Sequence, residues 1–443
     1  MTEKSEYTQC LEAMYSLQRF GIILGLDTIS GILSHLGNPH SSFKAIHVAG
    51  TNGKGSVAST LAFILHLTGF RTGLYTSPHL VRFNERICIS NRPVSDEAVL
   101  ESYKAVKNAP RKERELTFFE FSTAMAFDIF AKEKTDWAVI ETGMGGRLDA
   151  TNLIDPELSV ITNISLEHRE YLGNTIEEIT GEKGGIIKTN RPVVTGVKQE
   201  SAAEVLRRIA AEKSAPLYRF GETFRVSPEP GGSFTYHGMW NTWTDMRTGL
   251  SGRYQIDNAA LVLAACEILI QNGVNISADH IRKGLLRNRW PGRLEVVCQS
   301  PQVVLDGAHN LEAARVLADY LSEQAENRRI IMVMGILDDK PYREMMHHLL
   351  PLCRKVIICQ PKTGRAVSAD KLASAAKEII ADTEIIPDVG QALAHAMKTA
   401  SAEDMICVAG SLYVVGEAKE YLEKRNPLFS AGSSVICNSS WTT

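Results

Sequence analysis

The apolar positions in the first half of the chain form short runs rich in β-branched residues, separated by longer helical stretches. This alternation is typical of a mostly parallel β-sheet with helices on both faces. The runs that we predict as strands are Lys44–Val48, Thr72–Tyr75, Trp137–Glu141, Leu158–Thr162 and Pro192–Thr195. The pattern therefore predicts an α/β fold.

The pattern changes after residue 220. Residues 222–250 are rich in aromatic residues, Thr and Gly, which indicates antiparallel hairpins, and Gln255–Gln271 is predicted to be a long helix. A Pro-Gly break at Arg289–Arg293 then precedes a second region of alternation. Its predicted strands are Val303–Leu305, Arg329–Met334, Lys355–Ile358, Glu384–Ile386 and Met405–Val408. We predict domains at residues 1–296 and 297–425, the second smaller and Rossmann-like, and a disordered tail at 426–443.

Composition narrows the class of protein. A chain of 443 residues is too long for one ordinary core, and 44% hydrophobic with 22% charged residues is average for a globular protein. A net charge of -3 argues against a general binder of nucleic acids or membrane surfaces. We see no signal peptide and no apolar run long enough to span a bilayer. The eight cysteines form no Cys-x-x-Cys pair, so we expect reduced thiols, no structural zinc and a cytoplasmic protein.

A Gly-rich turn follows the first predicted strand and precedes the apolar run Val57–Leu67, which predicts a helix. Small residues at such a turn let backbone N–H groups approach an anion, and the helix dipole favours negative charge. Lys54 can neutralise phosphates and Ser56 can reach a metal ion. Two residues separate the first glycine from Gly53-Lys54, where the standard P-loop has four. An ordinary strand–turn–helix connection is the alternative. The predicted nucleotide-binding residues are Gly50, Thr51, Asn52, Gly53, Lys54, Gly55 and Ser56.

Polar residues follow other predicted strands. In open α/β sheets the ligand crevice lies at the carboxyl ends of the strands, so Glu141 is predicted beside a metal bound to ATP phosphates. His168 follows the next strand end. The alternative interpretations are that Glu141 is a solvated residue at the strand end and that His168 is a surface histidine. In the second domain, the segment Asp306–Asn310 brings an acid, a histidine and an amide to a strand end.

Two further segments carry candidate chemistry. Lys183 precedes two glycines at a helix end, where we interpret it as a capping cation or a phosphate ligand. Thr117 and Glu120 fit a capping box. The adjacent Phe118 and Phe119 could form an aromatic wall for a flat ligand.

With these motifs in place, the chain resembles the folylpolyglutamate synthase/dihydrofolate synthase family, a branch of the muramyl-ligase-like amide ligases. The resemblance runs from Phe20 to Tyr421. Its motifs are His47-Val-Ala-Gly-Thr-Asn-Gly-Lys-Gly-Ser56, Tyr75-Thr-Ser-Pro-His-Leu80, Phe83-Asn-Glu-Arg86, Glu141-Thr-Gly-Met-Gly-Gly-Arg-Leu-Asp-Ala-Thr-Asn152, Glu182-Lys-Gly-Gly-Ile-Ile-Lys188, Trp290-Pro-Gly-Arg293, Asp306-Gly-Ala-His-Asn310 and Gly410-Ser-Leu-Tyr413.

The resemblance implies an ATP-dependent ligase that joins a folate or dihydropteroate carboxylate to L-glutamate through an acyl phosphate. It also implies two Mg²⁺ ions and a monomer. The protein mainly positions the reactants and stabilises charge. The implied metal ligands, together with Ser56 of the loop, are Ser77, Glu141 and His168. The implied nucleotide contacts beyond the loop are Asn258, Arg293 and Asp306.

The same resemblance changes our interpretation of Lys183, because it matches a lysine that becomes carbamylated. A carbamate is an anion, so this residue would act like a carboxylate beside the second metal. Asp306 and His309 match a contribution of the C-terminal domain to the nucleotide and the transition state. The implied catalytic residues are Lys54, Lys183, Asp306 and His309. The implied substrate-binding residues, which line a pterin pocket in bifunctional members, are Thr117, Phe119 and Asp149, to which we add Phe83.

The chain departs from the family at two positions. It has Ser165-Leu-Glu-His168 where Gly-Leu-Asp-His is usual, and Glu182-Lys-Gly-Gly185 where Glu-Lys-Ala-Gly is usual. A muramyl-type ligase is one alternative, but the phosphate loop begins too early for that class's extra N-terminal domain. A P-loop kinase or regulatory NTPase is another, which leaves Lys183 and Asp306 without a role. The sequence leaves open which of the two synthase activities is present, the preferred folate and the tail length.

Overall fold

A computed structural model describes residues 5–110 and 114–425. The tail at 426–443, predicted to be disordered, lies outside the described residues. The described chain divides into two compact units. The first holds residues 5–110, 114–249 and 255–288, and the second holds residues 250–254 and 289–425.

The first unit is built on an eight-stranded sheet. Its central strand, β1 (Lys44–Ala49), pairs in parallel with β5 (Trp137–Glu141) and β6 (Leu158–Ile161). The strands β3 and β4 join antiparallel at one edge. The order across the sheet is β4 (Arg92–Pro93), β3 (Ile87–Ile89), β2 (Thr72–Tyr75), β5 (Trp137–Glu141), β1 (Lys44–Ala49), β6 (Leu158–Ile161), β7 (Val193–Thr195) and β8 (Leu217–Arg219). A separate antiparallel sheet contains β9 (Arg225–Pro228), β10 (Phe234–His237) and β11 (Thr242–Met246).

Helices cover this sheet and supply most of the apolar core. Several begin at a capping side chain; Thr117 and Glu120, for example, form the predicted capping box at the start of α5. The helices of the unit are α1 (Glu6–Ser16), α2 (Asp27–His35), α3 (Lys54–Leu67), α4 (Asp96–Asn108), α5 (Phe118–Lys132), α6 (Arg169–Leu172), α7 (Ile176–Gly184), α8 (Glu200–Glu212), α9 (Tyr254–Gln271) and α10 (Ala278–Arg287). Short 3₁₀ turns lie at Leu17–Phe20, Pro39–Ser41, Phe83–Arg86, Ala150–Leu153 and Pro230–Gly232.

The second unit is a six-stranded sheet in which β17 lies between β13 and β14. The order is β12 (Glu295–Gln299), β13 (Gln302–Leu305), β17 (Met405–Ala409), β14 (Ile330–Met334), β15 (Lys355–Ile358) and β16 (Thr383–Ile385); only β12 is antiparallel to its neighbour. The helices are α11 (Leu311–Ala325), α12 (Tyr342–Leu349), α13 (Ala369–Lys377), α14 (Val389–Thr399) and α15 (Leu412–Arg425), with a 3₁₀ turn at Leu350–Leu352.

The ten strands predicted from the apolar pattern are confirmed, with ends that differ by one residue at most. The antiparallel hairpins at 222–250 and the long helix at Gln255–Gln271 are confirmed too. The helix predicted at Val57 begins three residues earlier, at Lys54, because Gly53 adopts the left-handed conformation (φ 84°) and lets the chain turn at once. In the part of the chain described here, no helix is long and apolar enough to cross a membrane.

Candidate active site

The phosphate loop joins β1 to α3 at the carboxyl edge of the large sheet. The Nζ atom of Lys54 donates to the carbonyl oxygens of Gly50 and Thr51, both at 3.0 Å. The Nζ atom of Lys183, from the last turn of α7, donates to the same Gly50 oxygen at 2.7 Å. Two amine-bearing side chains that are 129 positions apart therefore converge on one loop oxygen, where an anionic ligand would meet both.

The loop is also fixed by the segment that follows β6. The backbone N–H of Asn52 donates to Asn163 Oδ1 at 2.8 Å, and the Thr162 hydroxyl donates to the Asn52 carbonyl at 2.6 Å. Gly50 packs so closely on this segment that a Cβ atom would lie 1.9 Å from Thr162 Oγ1. Only glycine fits there, and its φ of 146° is likewise open to glycine alone.

Lys183 is 1% exposed and pairs with Glu167, whose Oε1 lies 2.8 Å from Nζ. Burial lowers the pKa of the Lys183 amine, and the charge of Glu167 opposes this shift. Burial also tends to raise the pKa of Glu167, but the charges of Lys183 and Lys54 outweigh it and bring that pKa to about 2. Glu167, which replaces the family's usual aspartate, is therefore an anion directly beside Lys183.

The predicted metal ligands lie around the same edge. Ser77 follows β2, and its N–H donates to Glu141 Oε2 at 3.1 Å, so the structure brings these two residues together. His168, in a left-handed conformation, immediately precedes α6. The described residues contain no cluster of three His, Cys, Asp or Glu side chains that could hold a metal. A single carboxylate with hydroxyls suits Mg²⁺, which keeps waters and takes oxygens from phosphates, so the residues present fit that ion.

Gln255, at the start of α9, links two predicted ligands and was missed by sequence reasoning. Its Nε2 donates to Ser56 Oγ at 3.3 Å, and its Oε1 accepts from Asn258 Nδ2 at 2.9 Å. Asn258 itself packs on the loop, where a Cβ at Gly53 would lie 2.5 Å from its Oδ1. The signal available in the sequence was a pair of amides three positions apart at the start of an apolar helix.

Of the predicted pterin-binding residues, Phe119 contacts the segment that follows β5. The Phe119 ring packs on Gly143, where a Cβ would lie 2.4 Å from the ring. The Thr117 hydroxyl donates to Glu120 Oε2 at 2.8 Å, inside the capping box. Phe83 is buried in the core, with its ring 6.3 Å from that of Phe118. Phe119 therefore contacts the segment that carries Asp149, whereas Phe83 packs against Phe118.

Asp149 is 4% exposed and its carboxylate is held by its own segment. Oδ1 accepts from the Thr151 N–H at 3.0 Å and from the Thr151 hydroxyl at 2.5 Å, and Oδ2 accepts from the Met144 N–H at 2.8 Å. Burial raises the pKa of Asp149, and these hydrogen bonds oppose the rise. These three hydrogen bonds hold the Asp149 carboxylate, an acceptor, in one orientation.

In the second unit, Asp306 follows β13 and closes a turn. Its Oδ2 accepts from the Leu294 N–H and its Oδ1 from the Ala308 N–H, each at 2.9 Å. Burial raises the pKa of this carboxyl, and the nearby Arg293 opposes the rise. His309 Nδ1 lies 2.7 Å from the Gly307 carbonyl, which fixes the ring at the same turn. The structure therefore brings Arg293, Asp306 and His309 together.

Comparison with known proteins agrees with this geometry. Residues 48–266 match the Mur ligase middle domain, and residues 292–412 match the Mur ligase, glutamate ligase domain. The chain is thus an ATP-dependent ligase of the Mur ligase class. It is 36% identical over 416 residues to a Bacillus subtilis dihydrofolate synthase/folylpolyglutamate synthase, covering 91% of this chain and 96% of that protein. The chain belongs to the folylpolyglutamate synthase/dihydrofolate synthase family.

Solved structures of similar proteins include Escherichia coli FolC in complex with DHPP and ADP, with a TM-score of 0.87 and 31% identity, over 94% of this chain and 98% of that one. A bifunctional folylpolyglutamate synthase/dihydrofolate synthase from Yersinia pestis, complexed with AMPPNP and an Mn ion, has a TM-score of 0.85 and 31% identity, over 96% and 100% of the two chains. Those neighbours bind adenine nucleotides, and one of them binds a divalent metal.

Proposed function

We propose that this protein joins L-glutamate to folates with ATP, and that it also acts on dihydropteroate. The observation that carries the proposal is the convergence of Lys54 and Lys183 on the Gly50 carbonyl, in a chain of this family. A carboxylate oxygen of the acceptor attacks the γ-phosphorus of ATP, which gives an acyl phosphate and ADP. The glutamate amine then attacks the acyl carbon, and phosphate leaves.

The residues of the loop edge divide this work. Backbone N–H groups of the loop and Lys54 bind the phosphates and neutralise the transferring phosphoryl group. Ser56, Ser77, Glu141 and His168 would hold Mg²⁺, which would supply positive charge to the phosphates. Gln255 donates to one lone pair of Ser56 Oγ and leaves another for the ion. Asn258 would contact the nucleotide.

Lys183 is proposed to act as a carbamate. Its neutral amine adds CO₂ to give the carbamate, and the proton that is released passes to solvent. Glu167, whose Oε1 accepts from Nζ at 2.8 Å, holds the amine in position. The resulting anion would face the second Mg²⁺. The buried position supports this role, because it lowers the pKa of the amine and shields the carbamate from hydrolysis.

The remaining parts of the proposal concern the whole chain. We assign ATP and pterin binding to residues 1–296 and glutamate ligation to residues 297–425. Arg293 of the first segment and Asp306 and His309 of the second are proposed to assist the nucleotide and the transition state. Asp149, Thr117, Phe119 and Phe83 are assigned to the pterin. We further propose a cytoplasmic monomer.

The test is a parallel assay with dihydropteroate and with tetrahydrofolate, each with and without L-glutamate. We expect phosphate release and a product heavier by one glutamyl residue, and only when ATP, acceptor and glutamate are all present. Phosphate release without an acceptor would instead favour a regulatory NTPase, and turnover of a nucleotide-linked muramyl acceptor would favour a muramyl-type ligase. Activity with only one of the two pteridines would narrow the assignment to one synthase.

A further inference from the structure

A buried histidine lies behind the pterin side of the site and has no role in the mechanism above. His47 is in the middle of β1, paired with Ile140 on β5 and with Ser159 on β6, and it is completely buried. Its Nε2 lies 2.8 Å from Thr151 Oγ1. Its other ring nitrogen, Nδ1, has no hydrogen-bond partner among the residues that the structure describes. A polar ring in a core strand that makes one bond calls for an explanation.

The direction of the hydrogen bonds assigns the proton on the ring. The Thr151 hydroxyl donates its single hydrogen to Asp149 Oδ1 at 2.5 Å. The Thr151 oxygen must therefore accept from His47, which makes Nε2 the protonated nitrogen. Burial, together with the charge of Lys188, lowers the pKa of His47 to about 3, so the ring is neutral at physiological pH.

We propose that His47 and Thr151 are positioning residues that orient the Asp149 carboxylate toward the amino edge of the pterin. The chain runs from His47 Nε2–H to the Thr151 hydroxyl and on to Asp149 Oδ1, and each bond polarises the next. Because the His47 donor faces the Thr151 oxygen, the hydroxyl hydrogen can point only at the carboxylate. The inference rests on the proposed function, since it takes Asp149 as the pterin acceptor.

The backbone of this segment is held independently, so the chain acts on side-chain orientation. Lys188 Nζ donates to the Asn152 carbonyl at 2.9 Å. Asn152 Nδ2 donates to the carbonyls of Arg147 and Gly185, at 3.0 and 3.1 Å. Removal of the His47 donor therefore leaves the Thr151 backbone in place but lets its hydroxyl rotate. The Asp149 carboxylate then loses one of the hydrogen bonds that hold its orientation.

The experiment compares two ligands on two variants. Dihydropteroate and its 2-desamino analogue are titrated into the ADP-bound full chain, and the dissociation constants are read from fluorescence. For His47→Leu we expect about a tenfold loss of dihydropteroate affinity, the amount that one misplaced hydrogen bond removes. The analogue, which lacks the amino group, should bind the variant and the parent protein alike. His47→Gln places a donor near the Nε2 position and should restore most of the affinity.

His40→Leu is the matched control. His40 is a half-buried histidine whose Nδ1 also has no partner within the described chain, and its ring lies 6.2 Å from that of Phe127. It should leave both dissociation constants unchanged. If His47→Leu does not fold, Thr151→Val and Thr151→Ser give the same comparison at the next link, since only serine keeps the hydroxyl. An equal loss for both ligands would overturn the proposal, whereas a parent protein that binds neither pteridine would contradict the proposed function instead.

Discussion

Strand β1 serves two regions of the site that are built in different ways. At its carboxyl end, the phosphate loop is one contiguous run, and its polar partners contact mainly its backbone. On the pterin side, His47 contacts Thr151, which is 104 positions away, and the contacts run from side chain to side chain. A phosphate is recognised by main-chain N–H groups and cations, whereas a heterocycle edge needs oriented side chains. The two regions should therefore respond differently to substitution.

The largest effect is expected at the phosphate loop. Lys54→Ala removes the charge that neutralises the transferring phosphoryl group, and turnover should fall by about three orders of magnitude. The melting temperature should change little, because the hydrogen bonds of this side chain within the described residues go to two loop carbonyls. The control is Lys44→Ala, an exposed lysine at the other end of β1 that should keep normal turnover. Near-normal turnover of the Lys54→Ala enzyme would contradict the assignment of this loop to phosphate binding.

Lys183 gives the next largest effect. Lys183→Ala should lower turnover by about two orders of magnitude, and short carboxylic acids in the buffer should restore part of it by supplying an anion near Mg²⁺. Lys183→Arg should stay inactive, because a guanidinium keeps its charge and forms no carbamate. Steady-state rates with and without added acid measure both effects. Robust activity of the arginine variant would show that a cation is sufficient, as we first inferred from the sequence.

A smaller effect is expected for a metal ligand. His168→Ala should raise the Mg²⁺ concentration for half-maximal turnover by about tenfold, with recovery at high Mg²⁺. An Mg²⁺ titration at saturating ATP measures it, and His66→Ala on α3 serves as the control. An unchanged Mg²⁺ requirement would assign His168 to the protein surface.

The smallest effect on turnover is expected for the residues of the pterin side. There the protonation of His47 can instead be followed through the pH dependence of the free energy of unfolding. Its pKa is about 3 in the folded protein, below the usual 6.5 of the unfolded chain. The unfolded state therefore binds more protons below pH 6.5, and folding weakens as pH falls from there toward 3. Between pH 7 and 5 this group should remove about 2 kcal/mol of the free energy of unfolding. In His47→Gln, the free energy of unfolding measured with denaturant should fall less between pH 7 and 5, by that amount. The same fall as in the parent protein would show that the His47 ring is charged in the folded state.

The contrast between the two regions also explains what could be predicted from the sequence. Strand β5 was predicted to the residue because its four consecutive apolar residues, Trp137–Ile140, carry a clear signal. The strands β3 and β4 were not, since three and two residues at a sheet edge have no periodicity. The predicted phosphate loop is one contiguous run, so its residues could be named from the sequence. His47 and Thr151 contact each other only when distant segments meet, so no local pattern reveals their contact. For Gln255 the local signal was the pair of amides that it forms with Asn258.

The proposed mechanism requires that an acceptor carboxylate attacks ATP. The most direct measurement uses dihydropteroate labelled with ¹⁸O in its carboxylate, with ATP and L-glutamate, followed by mass spectrometry of the released phosphate. If an acyl phosphate forms, one labelled oxygen passes from each carboxylate to each phosphate. Unlabelled phosphate, formed at the same rate as the glutamyl product, would contradict the acyl-phosphate mechanism.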